Sequence, residues 1–136
     1  MGDAVLILFV EDECLILTAA QEALEEGGFD VIAAIDGAQA MRILSERTSQ
    51  LKGLITDVRL GSGPNGWEIA REARRLRPDM PVVYTTGDSA ALWPAEGVPN
   101  SMVVQKPYAD VQVVTALATL LSKADAQRIS SALPAG

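Results

Sequence analysis

The chain has 136 residues, of which 49% are hydrophobic and 21% charged, and its formal net charge at pH 7 is −7. This length and composition predict a single globular domain over residues 1–136 and exclude a disordered chain. The excess of acidic residues argues against binding to nucleic acid or to an anionic membrane surface, since both are held through clustered Lys and Arg.

Cysteine and histidine contents narrow the possible chemistry. The single cysteine, Cys14, excludes an internal disulfide and suits a reducing compartment. No apolar stretch approaches the roughly 18 residues needed to span a bilayer, so we predict a cytoplasmic protein. The sequence has no histidine, which excludes a histidine phosphocarrier, a His-containing catalytic triad and a His-ligated metal site.

Short apolar runs alternate along the chain with amphipathic segments of helical length, which is the pattern of βαβ units in a parallel sheet. Five strands are predicted, over residues 5–10, 30–34, 53–56, 82–86 and 101–105. Helices are predicted over residues 13–26, 37–47, 67–77 and 109–123, the last with a continuation to 132 left open. A weaker helical pattern over 89–96 is limited by Pro94 and Gly97.

These elements predict a flavodoxin-like α/β fold: a doubly wound, five-stranded parallel sheet of order 2-1-3-4-5 with helices on both faces. Its core would span about residues 5–121, with 122–136 as a C-terminal extension. In the first helix we expect Leu15, Ala19, Ala20, Ala23 and Leu24 on the buried face, and Cys14 as a small core residue. Trp67 should pack at the start of its helix.

Chemically distinct side chains follow four of the predicted strands. The acidic pair Glu11-Asp12 follows the first strand, Asp57 the third and Lys106 the fifth, while Thr86 ends the fourth. Ligands of open parallel sheets bind beyond the carboxyl ends of the strands. Three neighbouring carboxylates favour a hard cation such as Mg²⁺, and a carboxylate can itself attack phosphorus. The lysine and the hydroxyl would stabilise the oxygens of a transferred phosphoryl group.

Each position taken alone has an ordinary structural explanation. An acidic pair before a helix caps it and complements its dipole, and an aspartate after a strand often begins a turn. Thr-Gly and Lys-Pro pairs are frequent in turns and loops. The combination at four strand ends, in the order that the fold requires, favours a shared functional site.

This set of residues resembles the receiver domain of two-component response regulators over about residues 5–121. The resemblance implies that Asp57 accepts a phosphoryl group from a histidine kinase or a histidine phosphotransfer protein. It also implies an Mg²⁺ site formed by Glu11, Asp12, Asp57 and the backbone carbonyl of Arg59.

The same resemblance assigns Thr86 as the hydroxyl that responds to phosphorylation and Lys106 as the phosphate-binding lysine. The chain departs from the family pattern at Glu11, where aspartate is commoner, and in the loop after Asp57, which is slightly longer than usual. Val103 stands where many relatives carry the Tyr or Phe that rotates on phosphorylation. We therefore expect phosphorylation to affect the surface formed by residues 87–105 without rotation of such a ring. Within this surface, Trp93 is either a contact for a partner or a packing residue.

The function predicted is that of a stand-alone, non-enzymatic receiver domain that signals through an unknown downstream protein partner. One alternative is an interaction domain that works without phosphate. A second is an Mg²⁺-dependent phosphohydrolase, which is disfavoured because Arg59 stands two residues after Asp57, where such an enzyme needs an acid. A stripe of arginines on the third long helix is expected to be a solvated face: Arg71, Arg74, Arg75 and Arg77.

Overall fold

The computed structural model describes residues 5–132. Five parallel strands form one sheet: β1 (Val5–Val10), β2 (Phe29–Ala34), β3 (Leu51–Asp57), β4 (Val82–Thr86) and β5 (Met102–Gln105). The strand order is β2-β1-β3-β4-β5, which confirms the predicted doubly wound topology. Residues 1–4 and 133–136, the two ends of the predicted domain and part of its C-terminal extension, lie outside the described residues.

The helices confirm the predicted alternation, with small differences at their ends. They are α1 (Cys14–Glu26), α2 (Gly37–Arg47), α3 (Gly66–Leu76), α4 (Trp93–Glu96) and α5 (Asp110–Ala132). The weak helical pattern before β5 forms a 3₁₀ turn followed by the single turn of α4. The last helix, α5, continues to residue 132, which the sequence had left open. Among residues 5–132, no helix carries an apolar stretch long enough to cross a bilayer.

Side chains of the central strands alternate between two apolar layers, as the period of a β-strand requires. Leu8 and Val10 of β1 pack in one layer with residues of α2 and α3. Ile7 and Phe9 pack in the other layer, with residues of α1 and α5. Helices therefore cover both faces of the sheet, as predicted, and the strand ends are the part of the sheet left open to ligands.

The predicted buried face of α1 is partly wrong. The helix packs through Leu17, Ala20 and Leu24, which are spaced by three and four residues and are all buried. Leu15 is 88% exposed and Cys14 is also exposed, so neither is a core residue. Ala19, which was also expected on the buried face, is exposed. Leu15 and Leu17 lie on nearly opposite sides of α1, and only packing against the sheet and α5 selects between them.

The arginine stripe of α3 is only partly a solvated face. Arg74 donates hydrogen bonds from Nε to the carbonyl of Met80 and from Nη1 to the carbonyl of Pro99, both at 2.6 Å. Arg77 Nη1 donates to the carbonyl of Leu51. Arg74 thus attaches the segments that precede β4 and β5 to α3, and Arg77, directly after α3, bonds to the start of β3. Arg75 is exposed, as expected.

Candidate functional site

The predicted acidic residues meet at the carboxyl ends of β1 and β3. These strands are neighbours, with Val10 paired to Thr56. Ligand atoms of Glu11, Asp12 and Asp57 all lie within 4.8 Å of one another. Asp12 is exposed, whereas the other two carboxylates are buried. Three carboxylates at this separation repel one another strongly, so the cluster favours a bound cation.

The ammonium group of Lys106 reaches this cluster of carboxylates, as the sequence predicted. Its backbone N–H donates to the carbonyl of Thr86 at 2.8 Å, which continues the pairing of β4 with β5. Its Nζ lies 2.8 Å from Glu11 Oε1 and 3.0 Å from Asp57 Oδ2. The following peptide bond, Lys106–Pro107, is cis. One positive charge is thus shared between two buried carboxylates.

Burial controls the protonation of this site. It raises the pKa of Glu11 to about 7 even though Lys106 opposes the shift, and it also raises the pKa of Asp57. Burial acts to lower the pKa of Lys106, but the hydrogen bonds to Glu11 and Asp57 outweigh it, so the net change is upward. The lysine is therefore a fixed positive charge, whereas burial disfavours the ionised forms of Glu11 and Asp57.

Thr86 is buried and lines the site, and its hydroxyl oxygen acts as an acceptor. The backbone N–H groups of Asp88 and Ser89 donate to Thr86 Oγ1 at 3.3 and 2.9 Å. Within residues 5–132, no acceptor is bonded to the hydroxyl hydrogen of Thr86. A hydroxyl has one donor and two acceptor positions, so this group can donate to an incoming oxygen while it keeps both existing bonds.

An ion pair bridges the two loops at the mouth of the site. Arg59 Nε, in the loop after β3, lies 3.0 Å from Asp88 Oδ2, in the loop after β4. Ser89 Oγ donates to the other carboxylate oxygen of Asp88 at 2.8 Å. The cavity below has a volume of about 370 Å³ and is lined by Asp12, Glu13, Asp57, Arg59, Gly61, Thr86, Gly87, Asp88 and Lys106. A small anion and a hydrated cation fit a space of this size.

The loop after Asp57 closes tightly on the strand that carries the aspartate. The N–H of Gly66 donates to the carbonyl of Val58 at 2.9 Å, and a Cβ at Gly66 would clash with the carbonyl of Asp57. Gly61 and Gly63 have positive φ angles, a conformation that glycine adopts without strain. Arg59, at the start of this loop, lines the cavity. Ligation by the Arg59 carbonyl stays a prediction.

The sequence analysis did not single out Tyr84, which stands two residues before Thr86 on β4. It is fully buried in β4, pairs in register with Val103 and lies 4.6 Å from Trp67 between ring centroids. Its hydroxyl oxygen accepts a hydrogen bond from the backbone N–H of Val98 at 3.0 Å. The available signal was its position two residues before Thr86, since alternate residues of a strand share a face. Trp67 packs at the start of α3, as expected.

Comparison with known proteins agrees with this geometry. The model of the response regulator receiver domain family matches residues 7–118. The chain belongs to this family. It is 34% identical to the response regulator receiver protein CpdR of Brucella abortus over 104 aligned residues. These residues make up 75% of this chain and 84% of that protein.

Two further similarities support the assignment of this receiver domain. The aerobic respiration control protein ArcA of Escherichia coli is 38% identical over 81 residues, which cover 60% of this chain but 32% of that protein. The crystal structure of a response regulator receiver protein from Sinorhizobium medicae is 38% identical, with a TM-score of 0.86. The superposed region covers 90% of this chain and 98% of the crystallised chain.

Receiver domains of two-component systems take phosphoryl groups from histidine kinases and are generally non-enzymatic signalling domains. They bind Mg²⁺ at an acidic pocket, and the cluster of Glu11, Asp12 and Asp57 has the donor set that this ion prefers. Hard carboxylate oxygens suit Mg²⁺ better than a softer transition metal. The residues present therefore fit the ion that the family implies.

Proposed function

We propose that this receiver domain accepts a phosphoryl group on Asp57 and signals through a protein partner. The observation that carries the proposal is the contact of the buried Asp57 carboxylate with Lys106 at 3.0 Å, beside two further carboxylates. A nucleophilic oxygen, a fixed positive charge and a cluster suited to a cation thereby share one cavity. These are the groups that phosphoryl transfer needs.

In the proposed transfer, a carboxylate oxygen of Asp57 attacks the phosphorus of a phosphohistidine. The P–O bond forms as the P–N bond breaks, and the histidine ring of the donor leaves with the electron pair and takes up a proton. The donor would be a histidine kinase or a histidine phosphotransfer protein, since receiver domains take phosphoryl groups from histidine kinases.

Residues of this chain then stabilise the product. Lys106, which already contacts Asp57 Oδ2, pairs with a phosphoryl oxygen, and Thr86 donates its free hydroxyl hydrogen to another. We assign Glu11, Asp12, Asp57 and the Arg59 carbonyl to hold Mg²⁺. The ion, when bound, supplies positive charge that offsets charge building up on the phosphoryl oxygens.

The side chain of Arg59 argues against the alternative that this domain is a phosphohydrolase. The arginine side chain pairs with Asp88 and offers no proton acceptor two residues after Asp57. We therefore propose a phosphoacceptor with at most slow self-hydrolysis, acting in the cytoplasm through a downstream protein. We propose neither nucleic acid nor membrane as a partner of this domain.

The test is intact-mass analysis after incubation with acetyl phosphate or phosphoramidate, in the presence of Mg²⁺. The second donor carries a P–N bond, as phosphohistidine does. We expect one added phosphoryl group, lost with EDTA and in Asp57→Asn, but kept in Asp30→Asn, an exposed aspartate of β2. An adduct that persists in Asp57→Asn would refute the assignment of the acceptor. Absence of any adduct would favour an interaction domain that works without phosphate.

A further inference from the structure

The chain has two tyrosines, and their hydroxyl groups are bonded differently. Tyr84 is fully buried, and its hydroxyl oxygen accepts a hydrogen bond from the backbone N–H of Val98 at 3.0 Å. Tyr108 is half-buried, and its hydroxyl oxygen is buried without a hydrogen-bond partner among residues 5–132. A buried hydroxyl with no partner costs free energy that a phenylalanine at the same place would not cost. The Tyr108 hydroxyl therefore needs an explanation that packing does not give.

The sheet directs the Glu11 side chain to the layer in which Tyr108 packs. Tyr108 packs against the apolar layer between the sheet, α1 and α5, which includes Ile7 and Phe9 of β1. The N–H of Glu11 donates to the carbonyl of Ala34 at 3.0 Å, so the pairing of β1 with β2 continues through Glu11. Alternate residues of a strand share a face, so the buried Glu11 carboxylate follows Ile7 and Phe9 into this layer.

The charges around Tyr108 indicate which acceptor its hydroxyl lacks. Its pKa is raised to about 12, chiefly by burial and next by the negative charge of Glu11. The positive charge of Lys106 acts in the opposite direction, and the charges of Asp110 and Asp57 raise the pKa less than that of Glu11 does. The phenol is therefore neutral at ordinary pH, and Glu11 is the carboxylate that acts on it most strongly.

Glu11 depends on a lysine that it shares with the phosphoacceptor. Its Oε2 accepts a hydrogen bond from the N–H of Glu13 at 3.2 Å, and its Oε1 lies 2.8 Å from Lys106 Nζ. The same ammonium lies 3.0 Å from Asp57 Oδ2. In the proposed phosphorylated state, Lys106 pairs with a phosphoryl oxygen and can no longer serve Glu11 as before. A buried carboxylate that loses its positive partner needs another donor.

We propose that Tyr108 is a positioning residue, whose hydroxyl donates to the Glu11 carboxylate when Lys106 turns to the phosphoryl group. This inference rests on the proposed phosphorylation of Asp57. A neutral donor orients the carboxylate and leaves its negative charge available to Mg²⁺, whereas an ammonium beside it repels the ion. The extra methylene of Glu11, where relatives commonly carry aspartate, gives its carboxylate the reach for this contact.

The first measurement compares Tyr108→Phe with Tyr84→Phe by urea denaturation in EDTA. Each substitution keeps the ring and removes one buried hydroxyl. We expect the urea midpoint of Tyr108→Phe to equal or exceed that of the unsubstituted protein, because the lost hydroxyl has no partner. The midpoint of Tyr84→Phe should fall, because the N–H of Val98 loses its acceptor. An equal fall in both variants would show that Tyr108 is already bonded before phosphorylation and would overturn the inference.

The second measurement is the affinity for beryllofluoride with Mg²⁺, a reversible mimic of a phosphoryl group, by calorimetry at pH 8. Most of Glu11 is ionised there, since its pKa is about 7. Tyr108→Phe should raise the Kd about tenfold, as expected for a lost hydrogen bond to a charged group, and Tyr84→Phe should leave it unchanged. An unchanged Kd in Tyr108→Phe would overturn this inference alone. Failure of the unsubstituted protein to take up beryllofluoride, or a phosphoryl group from acetyl phosphate, would overturn the proposed function as well.

The third measurement tests whether Tyr108 acts through Glu11. Glu11→Asp keeps the negative charge and withdraws the carboxylate by one methylene. In this background, Tyr108→Phe should change the Kd for beryllofluoride by less than about twofold, because the contact is already lost. The same tenfold loss in both backgrounds would show that the hydroxyl serves another group, and would overturn the inference.

Discussion

The candidate phosphoryl site and the segment of residues 87–101, which joins β4 to β5, adjoin the same strand, β4, yet they are held in different ways. Glu11, Asp57 and Lys106 are packed around the ends of the sheet and joined by ion pairs of 2.8 and 3.0 Å. The segment contains one helical turn, and Leu92 in it is 52% exposed. Groups that stabilise charge must be preorganised, whereas a segment with few buried contacts can open at low cost.

The largest effect is expected at the buried charges. Lys106→Met leaves two buried carboxylates without their cation, which we expect to lower the free energy of unfolding at pH 8 by about 3 kcal/mol. Urea denaturation with EDTA present measures it. Lys123→Met removes an exposed ammonium and should change stability by less than about 0.5 kcal/mol. Equal effects of the two variants would show that the site is no more tightly held than the surface.

The next effect is a dependence of stability on pH. The pKa of Glu11 is about 7 in the folded protein, against 4.5 as its ordinary value. Between these values the folded state binds more protons than the unfolded state, so the free energy of unfolding falls as pH rises. The difference in pKa corresponds to about 3 kcal/mol across this window. The raised pKa of Asp57 acts in the same direction.

Chemical denaturation across this pH range, with and without Mg²⁺, measures the dependence. Mg²⁺ should remove most of it, because the ion stabilises the ionised carboxylates. Glu11→Gln should also flatten the profile, whereas Glu25→Gln, an exposed site on α1, should not. A profile that Glu11→Gln leaves unchanged would mean that another group is responsible.

A smaller effect is expected in the segment. Ser101→Ala removes the acceptor of the Trp93 indole and the donor to the Val98 carbonyl. We expect a loss of about 1–2 kcal/mol in the free energy of unfolding, together with faster hydrogen exchange confined to residues 87–101. Exchange that accelerates equally in β1 and β3 would contradict the separation of the two regions. Ser45→Ala serves as the control, since its hydroxyl donates only to a carbonyl of its own helix, that of Arg42.

The smallest effect should come from the ion pair that joins α4 to α3. Arg71 Nη2 lies 2.7 Å from Glu96 Oε2, and both side chains are about half exposed. Glu96→Gln should therefore cost only about 0.2–1 kcal/mol in unfolding free energy, and less in high salt. Thermal unfolding at two salt concentrations checks this, with Glu46→Gln as an exposed control. A cost comparable to that of Lys106→Met would remove the contrast between the two regions.

Much of the fold followed from local pattern. Apolar runs of strand length alternating with helical segments predicted the five strands and their order, because right-handed crossovers leave few arrangements of such a chain. The strand ends then predicted the meeting of Glu11, Asp12 and Asp57. Faces of helices were harder to predict. Leu15 and Leu17 are both apolar, and only contact with α5 and the sheet selects which of them is buried.

The sequence by itself determined the kind of domain and the residues that gather at the candidate site, because strand polarity brings those ends to one edge. Tertiary structure alone decided how the residues are linked. The shared contacts of Lys106, the Arg59–Asp88 bridge and the bond between Tyr84 and Val98 join residues 14 to 95 positions apart. No local pattern encodes such pairs, since each depends on how neighbouring strands and loops are packed.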